Sequence, residues 1–192
     1  MTLVELIVAM GIFTVVIAVF MAGLVVMTRN TARAQVTADA ADSVRRVFQR
    51  LDKEVRYADA INAPGAGVSG ARYVEFRTPA TVSASGVVMC TQWRWVPSTS
   101  TIESRVWPDS SATLPGWSTV ATHVVNDPAV VGYPFQMIPA STAAKHPRQT
   151  LQFSLLLESN ASTGQVSTQS LLVARNSSPD SPTVCSPAGF RP

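Results

Sequence analysis

The stretch that decides the fold lies at the amino-terminal end, where Met1-Thr2-Leu3-Val4-Glu5 is followed by LIVAMGIFTVVIAVFMAGLVVM, residues 6–27. These 22 residues contain no charged side chain, and Thr14 is their one hydroxylated residue. At a rise of about 1.5 Å per residue, a helix of this length reaches about 33 Å, enough to cross the hydrocarbon core of a membrane. The stretch therefore predicts a single membrane-spanning helix with one carboxylate, Glu5, at its amino-terminal end.

Glu5 has no side-chain cation near it in the sequence, because the first basic residue is Arg29. A carboxylate in hydrocarbon is costly unless it meets a positive partner. The nearest positive group is an α-amino terminus, either that of Met1 in the same chain or that of a neighbouring copy. This requirement predicts a subunit whose helices pack side by side, first in a membrane and then in a filament.

The opening Met1-Thr2-Leu3-Val4-Glu5-Leu6 resembles the mature amino terminus of type IV pilins and type II secretion pseudopilins. In that family a prepilin peptidase removes a short basic leader, and the new terminal amine is N-methylated. The resemblance implies that the numbering begins at the processed end, that Met1 carries the methyl group and that Glu5 serves assembly. One position departs from the family: many pilins have Pro where this chain has Ala22, so Ala22-Gly23 and Gly11 offer only a milder weak point in the helix.

A second stretch, VFQRLDKEVRYADAI at residues 47–61, resembles the helix end of W-type minor pilins and J-type pseudopilins. The competing interpretation of residues 1–27 is an ordinary signal anchor or a secretory signal. A secretory signal needs basic residues before its apolar part and a small-residue cleavage site after it, and the sequence has neither. An ordinary anchor has no need of Glu5, so the residues favour the pilin interpretation.

An apolar stripe continues the helix beyond residue 27. Its members recur at intervals of three and four: Val36, Ala40, Val44, Phe48, Leu51, Val55 and Ala58. A single stripe cannot bury itself, so we expect it to cover a sheet, with the contact made by Val44, Phe48, Leu51 and Val55.

Pro and Gly residues set the predicted boundaries of the helix and of the parts of the chain. No Pro or Gly interrupts residues 24–63, and the helix is predicted to end near Asn62-Ala63-Pro64-Gly65. The predicted parts are a transmembrane and filament-core helix at 1–27, an amphipathic second half of the helix at 28–62, and a β-rich head with a carboxyl-terminal tail at 63–192.

Beyond residue 70 the sequence predicts short strands joined by turns, because runs rich in β-branched and aromatic residues alternate with Pro, Ser and Thr. The predicted strands are Arg72–Arg77, Val87–Val96, Ser100–Trp107, Ser118–Val125, Pro134–Ile138, Gln149–Glu158 and Gln165–Ala174. The second and third form a hairpin across residues 97–100. We expect Trp93 and Trp95 on one core-facing side of that hairpin, with Trp107 a further candidate for the same side. The predicted fold class is α+β, a long helix packed on an antiparallel sheet, and the resemblance implies the type IV pilin fold.

Two cysteines, Cys90 and Cys185, stand too far apart for a compact CxxC motif. Outside the cytoplasm the default for such a pair is a disulfide, which would tie the Ser- and Pro-rich tail to the strand that holds Cys90. A pair of reactive thiols is the alternative.

The sequence offers no enzyme motif and no implied cofactor. It contains no G-x-S-x-G, S-x-x-K, P-loop or G-x-G-x-x-G pattern. His123 and His146 have no carboxylate or cysteine at ligand spacing, so they predict no metal site. We interpret His123 as a partly buried residue in a strand. The expected class is therefore a structural protein.

The distribution of charge does not favour nucleic acid as a partner. All 15 basic residues follow residue 28, whereas Glu5 is one of 12 acidic residues. Basic and acidic side chains interleave along the helix, which is typical of a solvated face or of pairing between subunits. DNA binding is therefore an alternative that the composition does not favour.

The resemblance implies a structural subunit of a type IV pilus or related pseudopilus, in a minor, initiating or tip-proximal position. It implies other pilin subunits, the prepilin peptidase and the pilus assembly machinery as partners. The expected location is the cytoplasmic membrane, single-pass with the head outside, and after assembly an extracellular pilus at the cell surface. The alternatives are the major pilin of the shaft, or a pilin whose head binds DNA or a surface ligand.

Overall fold

One long helix, α1 (Leu3–Arg56), precedes all the strands. The computed structural model describes residues 2–127, 133–143, 145–158, 165–186 and 190–192. Two compact units make up the chain, Met1–Asp39 and Ala40–Pro192. The second unit contains the last part of α1 and all of the strands, so it is the unit in which a helix packs on sheets.

The first unit is helical from Leu3 to its end. Its apolar side chains at residues 3–27 are exposed, and an 18-residue window there has a mean hydropathy of 2.7 with none of it buried. By length and composition this helix is able to cross a membrane, as the sequence predicts. It continues through Gly11 and Ala22-Gly23 without interruption.

The predicted end of the helix near Asn62 is wrong, because α1 stops at Arg56. The chain turns at residues 57–59 and Ala60–Ile61 forms a short strand, β1, beside Phe76 and Arg77. Asp59 closes this turn by a bidentate ion pair with Arg77, both contacts being 3.0 Å. Strand pairing therefore ends the helix before the Pro and Gly residues that the sequence offers as its stop.

Within the described residues, nine strands follow the helix. They are β1 (Ala60–Ile61), β2 (Gly65–Ala66), β3 (Arg72–Thr78), β4 (Met89–Val96), β5 (Thr101–Pro108), β6 (Ser118–Ala121), β7 (Phe135–Ile138), β8 (Thr150–Glu158) and β9 (Gln165–Val173). The first sheet has the order β1-β3-β4-β5-β6, with β2 also paired to β3, and the second sheet has the order β7-β8-β9. All pairings are antiparallel.

The seven predicted strands are confirmed, and the predicted hairpin joins β4 to β5 through a single helical turn at Pro97–Thr99. The largest difference is β6, which ends at Ala121 and not at Val125. His123 adopts a positive φ of 59°, after which Val124 bridges to Leu157 of the second sheet. The chain therefore leaves the first sheet where the sequence predicts a continuous strand.

The core of the second unit lies between the carboxyl-terminal part of α1 and the inner faces of both sheets. Val44, Leu51 and Val55 are buried there as predicted, together with Val47, which the stripe omitted. Phe48 is partly buried and packs its ring 4.9 Å from that of Phe153. The part of α1 that belongs to the second unit is therefore held by side chains from both sheets.

Trp107 does not share a face with Trp93 and Trp95. In the β4–β5 register Trp107 lies opposite Cys90, whereas Trp93 lies opposite Ser104. Successive residues of a strand point to opposite faces, so Cys90 and Trp107 belong to the face that α1 does not cover. There Trp107 packs in a small second cluster around the disulfide.

Leu51→Ala is expected to lower the melting temperature of the full chain in detergent by roughly 4–20 °C. Leu51 is fully buried in the core, and truncation of such a leucine costs about 2–5 kcal/mol through lost burial and the cavity left behind. The measurement is a near-ultraviolet circular dichroism melt. Gln49→Ala, at an exposed helical position, is the matched control and should change little. An equal melting temperature for the two variants would contradict this packing.

Candidate functional site

The amino-terminal end of α1 carries a reciprocal cap between Thr2 and Glu5. The backbone N–H of Thr2 donates to Oε2 of Glu5 at 2.8 Å, and Oγ1 of Thr2 lies 3.4 Å from the backbone nitrogen of Glu5. This is the S/T-x-x-E capping box, in which the residue before the helix and the third helical residue satisfy each other's exposed backbone donors. Sequence reasoning missed it, although the pattern Thr2-x-x-Glu5 predicts it.

The cap uses only one of the two carboxylate oxygens of Glu5. Within the part of the chain that the structure describes, both contacts of its carboxylate are made by Oε2, and Oε1 has no partner. An ionised carboxylate has room for about four hydrogen bonds. Glu5 can therefore keep its cap while it receives a cationic donor from outside. Met1 lies outside the described residues, so its N-methylated amine stays a prediction.

Hydroxyl groups in the apolar part of α1 are satisfied within the helix. Thr14 Oγ1 donates to the carbonyl of Met10 at 2.8 Å and approaches that of Gly11 at 2.9 Å. Thr31, just beyond the apolar part, donates in the same way to the carbonyl of Met27 at 2.9 Å. In a lipid environment an unsatisfied polar group costs several kcal/mol, so these bonds remove an obstacle to membrane insertion.

Cys90 and Cys185 form a disulfide, with their Cα atoms 5.5 Å apart. Both are buried, and Asp109 Oδ1 lies 3.1 Å from the Cys90 sulfur. These three residues have the composition of a metal site, but the disulfide uses both sulfurs and leaves no thiolate to act as a ligand. The cluster therefore serves to hold residues 184–186 against β4, as the sequence predicts for the tail.

A buried polar network lies under the same tail, on the face of the first sheet opposite α1. Glu75, with none of its surface exposed, accepts from Gln92 at 2.7 Å and from two nitrogens of Arg191, at 2.9 and 2.5 Å. Gln92 in turn accepts from Arg105 at 2.7 Å. Both Gln92 and Arg105 also donate to the carbonyl of Phe190.

This network supplies Glu75 with a cationic partner and hydrogen-bond donors, which offset the cost of burying its carboxylate. Trp117 covers Arg105, with 4.1 Å between the guanidinium carbon and the ring centroid. Burial lowers the pKa of Arg105, and the neighbouring Arg94 lowers it further. The network joins residues more than a hundred positions apart, so the sequence carried no local signal for it. Its role is to fix the tail.

The two histidines stand apart from each other and from any cluster of metal-binding groups in the described ranges. His123 is exposed, at a turn and outside a strand, so the interpretation of it as a partly buried strand residue is wrong. Its Nδ1 lies 3.0 Å from Oγ1 of Thr122. His146 forms an isolated bridge with Ser141. Neither arrangement supplies a second ligand for a metal ion.

Comparison of the chain with family models, with characterised proteins and with solved structures finds no match. The functional evidence for this chain is the geometry of α1, of its amino-terminal cap and of the β-rich domain.

Proposed function

We propose that this chain is a structural subunit of a type IV pilus or a related pseudopilus. One observation carries the proposal. An exposed apolar helix, suited by length and composition to a membrane, has a single carboxylate at its amino-terminal end, and one oxygen of that carboxylate has no partner among the described residues. In a simple anchor the cap with Thr2 would engage only Oε2 of Glu5 and would leave its charge without a cationic partner. In a filament it neutralises the amine of an adjacent subunit.

Assembly then follows from the same chemistry. In the cytoplasmic membrane the apolar part of α1 is solvated by lipid, and the head lies outside. Transfer into a filament exchanges lipid contacts for contacts between α1 helices of neighbouring subunits. The methylated Met1 amine of one subunit meets Glu5 of the next, and this pairing offsets the cost of a carboxylate in an apolar core. Pairing at one end of the helix also sets the axial register of adjacent subunits.

We further propose a minor, initiating or tip-proximal position. The support is the resemblance of residues 47–61 to minor pilins and a bulky head with two sheets and four tryptophans. In cells that express the full chain, a gold-labelled antibody against the head should mark sheared filaments at or near one end. A strain without the chain gives the background labelling. Regular label along the filament would make this the major pilin of the shaft, and filaments that carry no label would overturn the proposal of a pilus subunit.

A further inference from the structure

Strand β9 is an outer strand of the second sheet. In the part of the chain that the structure describes, it pairs with β8 alone, over nine residues and without a shift of register. A strand in this position presents a row of unpaired backbone N–H and C=O groups, to which another strand can bind. This open edge includes neither the cap at Glu5 nor the network under the tail.

The register shows which backbone groups of β9 point outwards. Ala174, directly after the strand, donates its N–H to the carbonyl of Gln149 at 3.0 Å. Hydrogen-bonded and non-hydrogen-bonded pairs alternate along an antiparallel ladder, so the even-numbered residues of β9 use both of their backbone groups on β8. The odd-numbered residues direct theirs to the open edge. All five of these are exposed: Gln165, Ser167, Gln169, Leu171 and Val173.

Strand β9 lacks the features by which edge strands usually avoid pairing with other chains. Its sequence, QVSTQSLLV, contains no charged residue and no proline, and its ladder with β8 has no bulge. Leu171 and Val173 leave 59 and 43 % of their surface exposed beside the open edge. The edge is therefore long, uncharged and partly apolar, which suits another uncharged strand.

The open edge is complementary to itself. Gln169 is the central one of the five outward residues, so two copies related by a two-fold axis at Gln169 can pair antiparallel over the whole strand. Gln165 then lies opposite Val173 of the second copy, and Ser167 lies opposite Leu171 of the second copy. Each such pair exchanges two N–H···O bonds, which gives about ten bonds across the contact. A two-fold contact of this kind uses the same surface on both copies.

Charges near the two ends of β9 favour the same arrangement. Glu158 lies opposite Gln165 at the start of the strand, and Arg175 follows its end. Within the described ranges neither of these two charged side chains forms an ion pair. Antiparallel pairing brings the acidic end of one copy to the basic end of the other, whereas parallel pairing would bring like charges together. The charges therefore select the antiparallel second copy.

The same pairing sets the relative direction of the two copies. Phe48 contacts Phe153, which lies opposite Ser170 of β9. Arg56, at the end of α1, accepts from the backbone N–H of Arg175. The carboxyl-terminal part of α1 therefore runs in the same direction as β9. In an antiparallel β9 pair these parts of α1 run in opposite directions, so the contact differs from the side-by-side packing of α1 helices proposed above.

We propose that β9 joins two copies of this chain edge to edge, antiparallel about Gln169. The two three-stranded second sheets then form one continuous sheet. The pair uses only the second unit, so it does not depend on the proposed function. In a pilus, whose subunits share one direction, such a pair joins the heads of two filaments and not neighbours within one filament.

Cysteine cross-linking of the full chain in detergent tests the register. The Cα atoms of a hydrogen-bonded antiparallel pair are about 5.5 Å apart, a normal span for a disulfide. Gln169→Cys should therefore form a disulfide-linked dimer under mild oxidation. Ser167→Cys is the matched control and should not, because the two copies of position 167 lie about 14 Å apart along the strands. A mixture of Ser167→Cys with Leu171→Cys should cross-link again, since these positions face each other.

Charge at the two-fold axis gives a second measurement. Gln169→Lys and Gln169→Glu each place like charges directly opposite one another, and each should weaken dimerisation by about fivefold in sedimentation equilibrium. An equimolar mixture of these two variants should recover the affinity. Gln136→Lys, exposed on β7 of the same sheet, is the matched control and should leave dimerisation unchanged.

The proposal is overturned if Gln169→Cys stays monomeric, if Ser167→Cys alone cross-links as readily, or if the mixture of charged variants binds no better than either variant. Cross-linking is repeated in detergent extracts of cells that express the chain. A link from Gln169→Cys to a different protein and not to a second copy would assign the edge to a foreign strand and would equally overturn the proposal. Absence of the chain from filaments would leave all of these results unchanged, so the two proposals fail separately.

Discussion

Glu5→Ala is expected to leave the chain in the membrane but to reduce its entry into filaments by about two to four orders of magnitude. The variant makes α1 more apolar, so insertion does not suffer. In the filament, however, the amine of the neighbouring subunit would lose its partner in an apolar core. Removing one member of a buried ion pair costs about 3–5 kcal/mol, and each 1.4 kcal/mol is about a tenfold change in an equilibrium constant. The measurement is the ratio of the chain in sheared filaments to the chain in membranes.

Two companion variants separate charge from capping. Glu5→Gln keeps a side chain that can close the capping box with Thr2 but carries no charge. Thr2→Ala keeps the charge and removes the cap, which typically costs about 1 kcal/mol. We expect Glu5→Gln to fail nearly as badly as Glu5→Ala, and Thr2→Ala to assemble measurably better than either. Normal incorporation of Glu5→Gln would mean that Glu5 serves only the helix end, and the pairing with an amine would be wrong.

Periodicity predicted most of the architecture because it reports burial directly. The apolar intervals of three and four identified the face of α1 that contains Val44, Leu51 and Val55. Val47 was missed because a helix of 3.6 residues per turn presents a face wider than one row. The seven strands from Arg72 onwards were visible as β-branched and aromatic runs, whereas β1 and β2 have two residues each and are too short to carry a period.

Strand register and contacts between residues far apart in the sequence could not be predicted, for a different reason. Trp107 was a candidate for the same face as Trp93 and Trp95, but the face of β5 depends on where the turn at Pro97–Thr99 places the register. A shift of one residue exchanges the two faces of a strand. The contact of Glu75 with Arg191 joins residues 116 positions apart, and no local pattern marks Glu75 as buried or Arg191 as its partner.

The candidate site was only partly predictable. Glu5 could be identified because an isolated carboxylate is costly in hydrocarbon. Cys90 could be paired with Cys185 because a disulfide is the default for two cysteines outside the cytoplasm.

The variant in which Cys90 and Cys185 are both replaced by alanine is expected to lose about 4–5 kcal/mol of stability. The disulfide closes a loop with a sequence separation of 95, and on the chain-entropy account a loop of about 100 residues restricts the unfolded chain by about that much. The corresponding fall in melting temperature of the full chain in detergent is roughly 8–20 °C. Intact-mass measurement without reduction should find the original chain two hydrogens lighter than the dithiol.

The folded state should also report the loss, because the disulfide holds the tail where Val184 donates its backbone N–H to Asn62 Oδ1 at 2.8 Å. Without the covalent link, only non-covalent contacts such as the Arg191–Glu75 pair and the bonds to the Phe190 carbonyl retain the tail, so the backbone amide of Val184 should exchange with solvent much faster. Val184→Ala is the matched control: it shortens a buried side chain of the same cluster but keeps the loop closed, and it should cost less than the double variant. Two alkylatable thiols in exported protein, or equal melting temperatures for the double variant and the original chain, would contradict a stabilising disulfide. Both variants shorten buried side chains, but only the double variant removes the cross-link. A large loss of stability in the double variant with a small loss in Val184→Ala would therefore assign the stabilisation to loop closure.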